Sequence, residues 1–102
     1  MSLALDIDQE RLAALCRRYH VAKLELFGSR AKGTARPDSD VDLLVTFEPD
    51  AVIGFEFVTF AEELESVFGR RVDLLVRDDA EHDRNDVRRH SIFATVEPIY
   101  AA

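Results

Sequence analysis

The chain has 102 residues, 47% of them hydrophobic and seven of them Phe, enough for one folded domain and too apolar for a disordered one. Thirteen basic residues against twenty acidic give a formal net charge of -7, which argues against general nucleic-acid binding, because that rests on Lys and Arg displacing counterions from phosphates. The single cysteine, Cys16, excludes an intramolecular disulfide and a multi-Cys metal framework; with no basic-plus-apolar signal and no apolar run near the roughly 20 residues that span a bilayer, a soluble, cytoplasmic protein is expected.

The first element is a helix. Asp8 is placed to cap it, Ile7 and Leu12 have the spacing of a hydrophobic staple, and Leu12, Leu15, Cys16 and Tyr19 form one apolar stripe. Cys16 on that stripe reads as a core thiol, and Tyr19 and His20 as packing and terminus residues. Val21 to Phe27 then reads as a strand ending at Gly28, and the polar stretch from Arg30 to Asp38, with Gly33 and Pro37, as a helical turn and a loop. Val41 to Phe47 is a second strand, which Pro49 stops because it cannot donate to a ladder.

From Phe55 to Phe68 the residues Phe57, Phe60, Ala61, Leu64, Val67 and Phe68 recur at helical spacing, with Gly69 as the left-handed terminator. Val72 to Val76 is a third strand. The charged stretch from Arg77 to Arg84 is too polar for a core, and Val87, Ile92, Phe93 and Val96 suggest a last helix ended by Pro98. The expected fold is one α/β domain over residues 1–102: a mixed sheet of about three strands, with helices mainly on one face.

Chemistry concentrates where the first strand breaks and the second begins. Side chains at i and i+2 of a strand share a face, so Asp40 and Asp42 are expected to project together, opposite Val41, Leu43 and Val45. Two adjacent carboxylates repel unless a cation sits between them. Mg²⁺ prefers hard oxygen donors, typically one or two carboxylates plus substrate phosphates. Gly28 lets backbone approach a phosphate closely, and N–H groups opening a short helix at Arg30 would face it. Arg30 reads as functional there, while Lys32 and Arg36 suit a solvated basic patch equally well. Asp73, a strand acid flanked by apolar residues, needs a polar cleft or a partner such as a nearby Arg.

Other motifs fail on single positions. Asp38, Asp40 and Asp42 mimic the start of an EF-hand loop, but its sixth and twelfth positions are Leu43 and Pro49. Gly28 to Gly33 followed by Thr34 lacks the Lys of a Walker A loop. Ser29 has no hydrolase motif around it, and His82 and His90 lack ligand spacing.

The pattern G-S-x10-D-x-D, from Gly28 and Ser29 to Asp40 and Asp42 with Asp73 on a later strand, resembles the signature of the polymerase-β-like nucleotidyltransferase superfamily. The wording LFGSRAKGTARPDSDVDLLVTF and the short chain resemble its minimal nucleotidyltransferase (MntA-like) antitoxins, which are partnered with HEPN-domain toxins. That resemblance implies the nucleotidyltransferase core and transfer of AMP from ATP to a hydroxyl, with a tyrosine of the toxin as acceptor, in a type VII-like toxin–antitoxin pair. It further implies two Mg²⁺ ions on Asp40, Asp42 and Asp73, with Asp73 also helping to deprotonate the acceptor, and triphosphate binding by Gly28, Ser29 and Arg30. Larger superfamily members carry an added helical domain that 102 residues leave no room for, so a hetero-oligomer with the toxin is expected to complete the site. The contrasting reading is a non-catalytic antitoxin that neutralises its toxin by contact alone.

Overall fold

Three hydrophobic runs with internal alternation become the strands they suggest, with the expected boundaries. The computed structural model describes residues 8–28 and 40–102. In chain order these form α1 (Gln9–Arg18), β1 (Val21–Phe27), β2 (Val41–Phe47), α2 (Glu56–Phe68), β3 (Val72–Val76), α3 (Arg77–Glu81), α4 (Asp86–Ala94) and β4 (Val96–Ala101). The strands make one sheet in the order β3-β2-β1-β4. β1 runs antiparallel to both β2 and β4, and β2 parallel to β3 through the α2 crossover, so the sheet is mixed.

Local chemistry sets the helix ends. The Asp8 carboxylate accepts from Arg11 N at 3.1 Å and caps α1, while Arg17 and Arg18 in the last turn complement the helix dipole. His20 then takes a left-handed φ of 59°, and its carbonyl accepts from Glu48 N at 2.9 Å, tying the end of α1 to the end of β2. Gly69 closes α2 at φ 68°, where a side chain would be strained, and its N–H donates to Glu65 O at 2.8 Å.

The face of β2 that carries Val41, Leu43 and Val45 packs against α1 and α2, with Leu12, Cys16, Phe60 and Leu64 fully buried there. The other face is covered too, a departure from helices mainly on one side. Ala80 of α3 and Ile92 of α4 pack on Phe27 and Leu44, with Leu75, Phe93 and Val96 around them. The charged segment after β3 therefore contributes a narrow apolar edge.

Val96 to Ala101 is a strand where a helix running to Pro98 is expected. Pro98 does not prevent this. β4 is an outer strand, and its register with β1 slips between Leu24 and Glu25, opposite Pro98, so a missing N–H is tolerated there. Val87, expected on the apolar side of the last helix, is exposed. No helix among the described residues is long and apolar enough to cross a membrane.

Candidate active site

The register brings the sequence-predicted groups to one end of the sheet. Phe27, the last residue of β1, pairs with Asp42, and Asp42 pairs with Asp73 across the parallel β2–β3 ladder. Gly28 follows Phe27, and Asp40 precedes β2 by one residue. Glycine, two acids and a third acid thus converge from three adjacent strands. Ser29 and Arg30 lie outside the described residues, as do Lys32, Arg36 and Ile7.

Gly28 and Asp42 are fitted to each other. Gly28 holds φ +78°, and a Cβ built on it would meet Asp42 Oδ2 at 2.3 Å. Any side chain at 28 would be strained by the backbone and would displace that carboxylate. The carboxylate thus occupies the space that a side chain would need.

The acids differ in setting. Asp42 is half-buried, whereas Asp40 and Asp73 are exposed. Among the described residues, no ion pair joins Asp73 to an Arg. No group of three or more His, Cys, Asp and Glu side chains is arranged to hold a metal ion among the described residues. Asp40 and Asp42 offer hard oxygen donors of the kind Mg²⁺ takes, and a substrate's phosphates ordinarily complete such a set. The residues present fit that ion as a nucleotide-bound one.

The same face carries a charged group that the sequence reading missed. Glu25 is the buried charged residue among those described, at 4% exposure. It pairs with Leu44, two residues along the face from Asp42. Its carboxylate accepts from Arg77 Nη1, and Lys23 Nζ stands 3.3 Å away. Arg77 also donates from Nε to Glu81 at 2.9 Å, and its guanidinium lies 5.0 Å over the Phe93 ring. Burial opposes the charge of Arg77, but hydrogen bonds to Glu25 and Glu81 outweigh it and raise its pKa above the ordinary value. This network ties β1 across β2 to the start of α3. No local signal marks it, because in Leu24-Glu25-Leu26 the acid alternates with core leucines as a solvent-facing strand residue does; its partner lies 52 residues away.

Comparison with known proteins extends this geometry. A family model described as a nucleotidyltransferase domain matches residues 9–96. The protein adenylyltransferase MntA of Thermococcus cleftensis is 41% identical over 63 residues, 62% of this chain and 63% of that protein. The match therefore spans less than two thirds of that relative. The crystal structure of a toxin–antitoxin with AMP-PNP shares the fold, at a TM-score of 0.67 and 20% identity over 94% of this chain and 75% of that one. A structure provisionally assigned as a minimal nucleotidyltransferase reaches a TM-score of 0.64 at 31% identity, covering 88% of this chain and 87% of that one.

Proposed function

Since the chain belongs to the nucleotidyltransferase-domain family, whose model spans residues 9–96, we propose that it transfers AMP from ATP to a hydroxyl of a partner protein and so silences a HEPN-domain toxin. One observation carries this reading: Gly28 just past the end of β1, Asp42 in β2 and Asp73 in β3 stand at one sheet end, with the Asp42 carboxylate in the space left by the missing Gly28 side chain. Phosphate-approaching backbone and acidic side chains are then neighbours, as transfer of a nucleoside monophosphate requires.

The bond that forms joins the acceptor oxygen to the α-phosphorus of ATP; the bond that breaks is the one to the bridging oxygen, which leaves with pyrophosphate. Gly28 and Ser29 bind the triphosphate through close-approaching backbone, and Arg30 neutralises charge that develops on it. Asp40 and Asp42 would hold Mg²⁺, which would supply stabilisation of the charge on the attacking and leaving oxygens. Asp73 is exposed and beside Asp42 in register; it accepts the proton of the acceptor hydroxyl.

A protein acceptor is supported by the Thermococcus relative, whose name is protein adenylyltransferase, and by the toxin–antitoxin with AMP-PNP that shares the fold. A tyrosine hydroxyl on the toxin is the acceptor proposed here, with the two chains forming a hetero-oligomer. The test is growth of cells co-expressing the toxin with this chain or with its Asp40→Asn, Asp42→Asn variant. Rescue by the parent and none by the variant is the expected result. Equal rescue by a folded variant would refute neutralisation by transfer and establish neutralisation by contact.

A further inference from the structure

Exposed large apolar side chains are few among the described residues, and three of the four, Val52, Phe55 and Val58, are spaced three apart in one short stretch. Val52 is 91% and Phe55 93% exposed. They are not on a loose loop. Ala51 N donates to Glu48 O at 3.0 Å, Gly54 N to Glu56 Oε1 at 3.0 Å, and Phe57 N and Val58 N to Gly54 O and Phe55 O at 3.1 Å each. Those bonds build a ledge at the start of α2 that holds its apolar side chains out to solvent, and exposed apolar groups gathered and rimmed by polar residues mark interaction sites.

The rim is acidic. Glu48, Asp50 and Glu56 line a cleft of about 510 Å³ beside Val52 and Ile53, opposed by Arg18 and His20. Backbone N–H groups of its own residue and of Gly54 hold the Glu56 carboxyl below its ordinary pKa, so it stays ionised. A twofold contact between copies of this chain would set these acids against one another, and the formal charge of -7 opposes it further. A partner with apolar residues flanked by Lys or Arg meets both features.

Position matters as much as chemistry. β2 begins at the acid end with Val41 and ends at Phe47, so the ledge that follows lies at the opposite end of the sheet. Seven strand residues put the two about 20 Å apart. We propose that Val52, Phe55 and Val58, with Glu48, Asp50 and Glu56, form the docking surface for the protein that bears the acceptor hydroxyl, gripped through a basic, apolar-faced segment. The acids stay open while the partner is held, and its acceptor lies on the order of 20 Å from the docked segment. The partner's identity rests on the reading of this chain as an adenylyltransferase of a HEPN-domain toxin.

The test is the full-length Val52→Ser, Phe55→Ser variant against the HEPN-domain partner, by calorimetry and by transfer kinetics. Both side chains are more than nine-tenths exposed, so melting is expected to be unchanged. Loss of such anchors weakens binding about 30-fold or more and raises KM for the partner, with kcat and KM for ATP unaltered; Glu48→Gln with Asp50→Asn slows association and flattens its salt dependence. Unchanged affinity and KM would overturn the proposal, as would a partner that does not bind the parent chain. Self-association of the parent that the Ser variant abolishes, with partner binding intact, would give the ledge to a second copy instead. If the parent binds the partner but transfers no AMP, the reading of the activity fails, while the affinity comparison still decides the ledge.

Discussion

The two faces of the sheet are finished differently. Under α1 and α2 fourteen buried residues among those described form a continuous core, from Leu12 and Cys16 through Leu43 and Val45 to Phe60 and Leu74. Under α3 and α4 the buried set among the described residues is Phe27, Leu44, Ala80 and Ile92, and the covering helices are only five and nine residues long. The large core can supply most of the fold's stability, which frees the other face to hold a buried ion pair and to carry acids at one end. On that thinner face, apolar Leu44 gives way within two residues to Asp42, beside Gly28 and Asp73.

That contrast can be broken first at the acid end. Gly28→Ala places a Cβ at 2.3 Å from Asp42 Oδ2 and strains a φ of +78°. We expect transfer to fall by on the order of 10²–10³, the size of losing one well-placed stabilising group. The backbone strain is about 1–2 kcal/mol, so a folded but inactive protein in circular dichroism and kinetic assays is the predicted outcome. Near-parental activity would mean that the fit between Gly28 and Asp42 is incidental.

The closed face answers with stability. Phe60 is fully buried and contacts the Tyr19 ring at 5.1 Å between centroids and the Phe47 ring at 6.3 Å. Phe60→Ala should cost about 3–5 kcal/mol in denaturant unfolding. A loss under 1 kcal/mol would place the stabilising core elsewhere.

Between these lies the ion pair. Arg77→Ala strips the buried Glu25 charge of its hydrogen-bonded partner and leaves it with the half-exposed Lys23, and we expect a cost of about 2–3 kcal/mol, below the usual 3–5 because Lys23 remains and Arg77 is partly exposed. Replacing both, Glu25→Met with Arg77→Met, should return stability to within about 1 kcal/mol of the parent. A double variant as unstable as the single one would show that the pair's geometry, rather than relief of a stranded charge, holds α3 to the sheet.

Smallest at neutral pH is a titration effect inside the closed face. Burial pushes the Cys16 thiol up to about 12 from an ordinary value near 9, against the lowering influence of Arg17. The folded state then keeps its proton where the unfolded state loses it. The contribution is complete below pH 9 and is lost as pH rises from 9 towards 12. Cys16→Ala should flatten this part of the stability profile, and alkylation of native Cys16 at pH 8.5 should proceed only as fast as the protein unfolds.

Much of this architecture was legible because short-range rules governed it. Alternation gave the limits of β1, β2 and β3, Asp8 marked the start of α1, and Gly69 the end of α2. Phe27, Asp42 and Asp73 came into register because the apolar runs around them could pair in few ways. What escaped was decided by distant partners. Pro98 reads locally as a terminator, yet it sits in β4 because the outer edge of β1 needed a strand. Glu25 reads as one more surface acid until Arg77 arrives from the far end of β3. The alternation that set Asp42 opposite Val41, Leu43 and Val45 could not say that α3 and α4 would cover the rest of its face.

The most direct test of the account is the intact mass of the HEPN-domain partner after incubation with this chain, Mg²⁺ and ATP, beside a control with Asp40→Asn and Asp42→Asn. The account predicts one or more AMP-sized increments that vanish in the control and map to a tyrosine. A partner that is bound and inhibited yet unchanged in mass would contradict it.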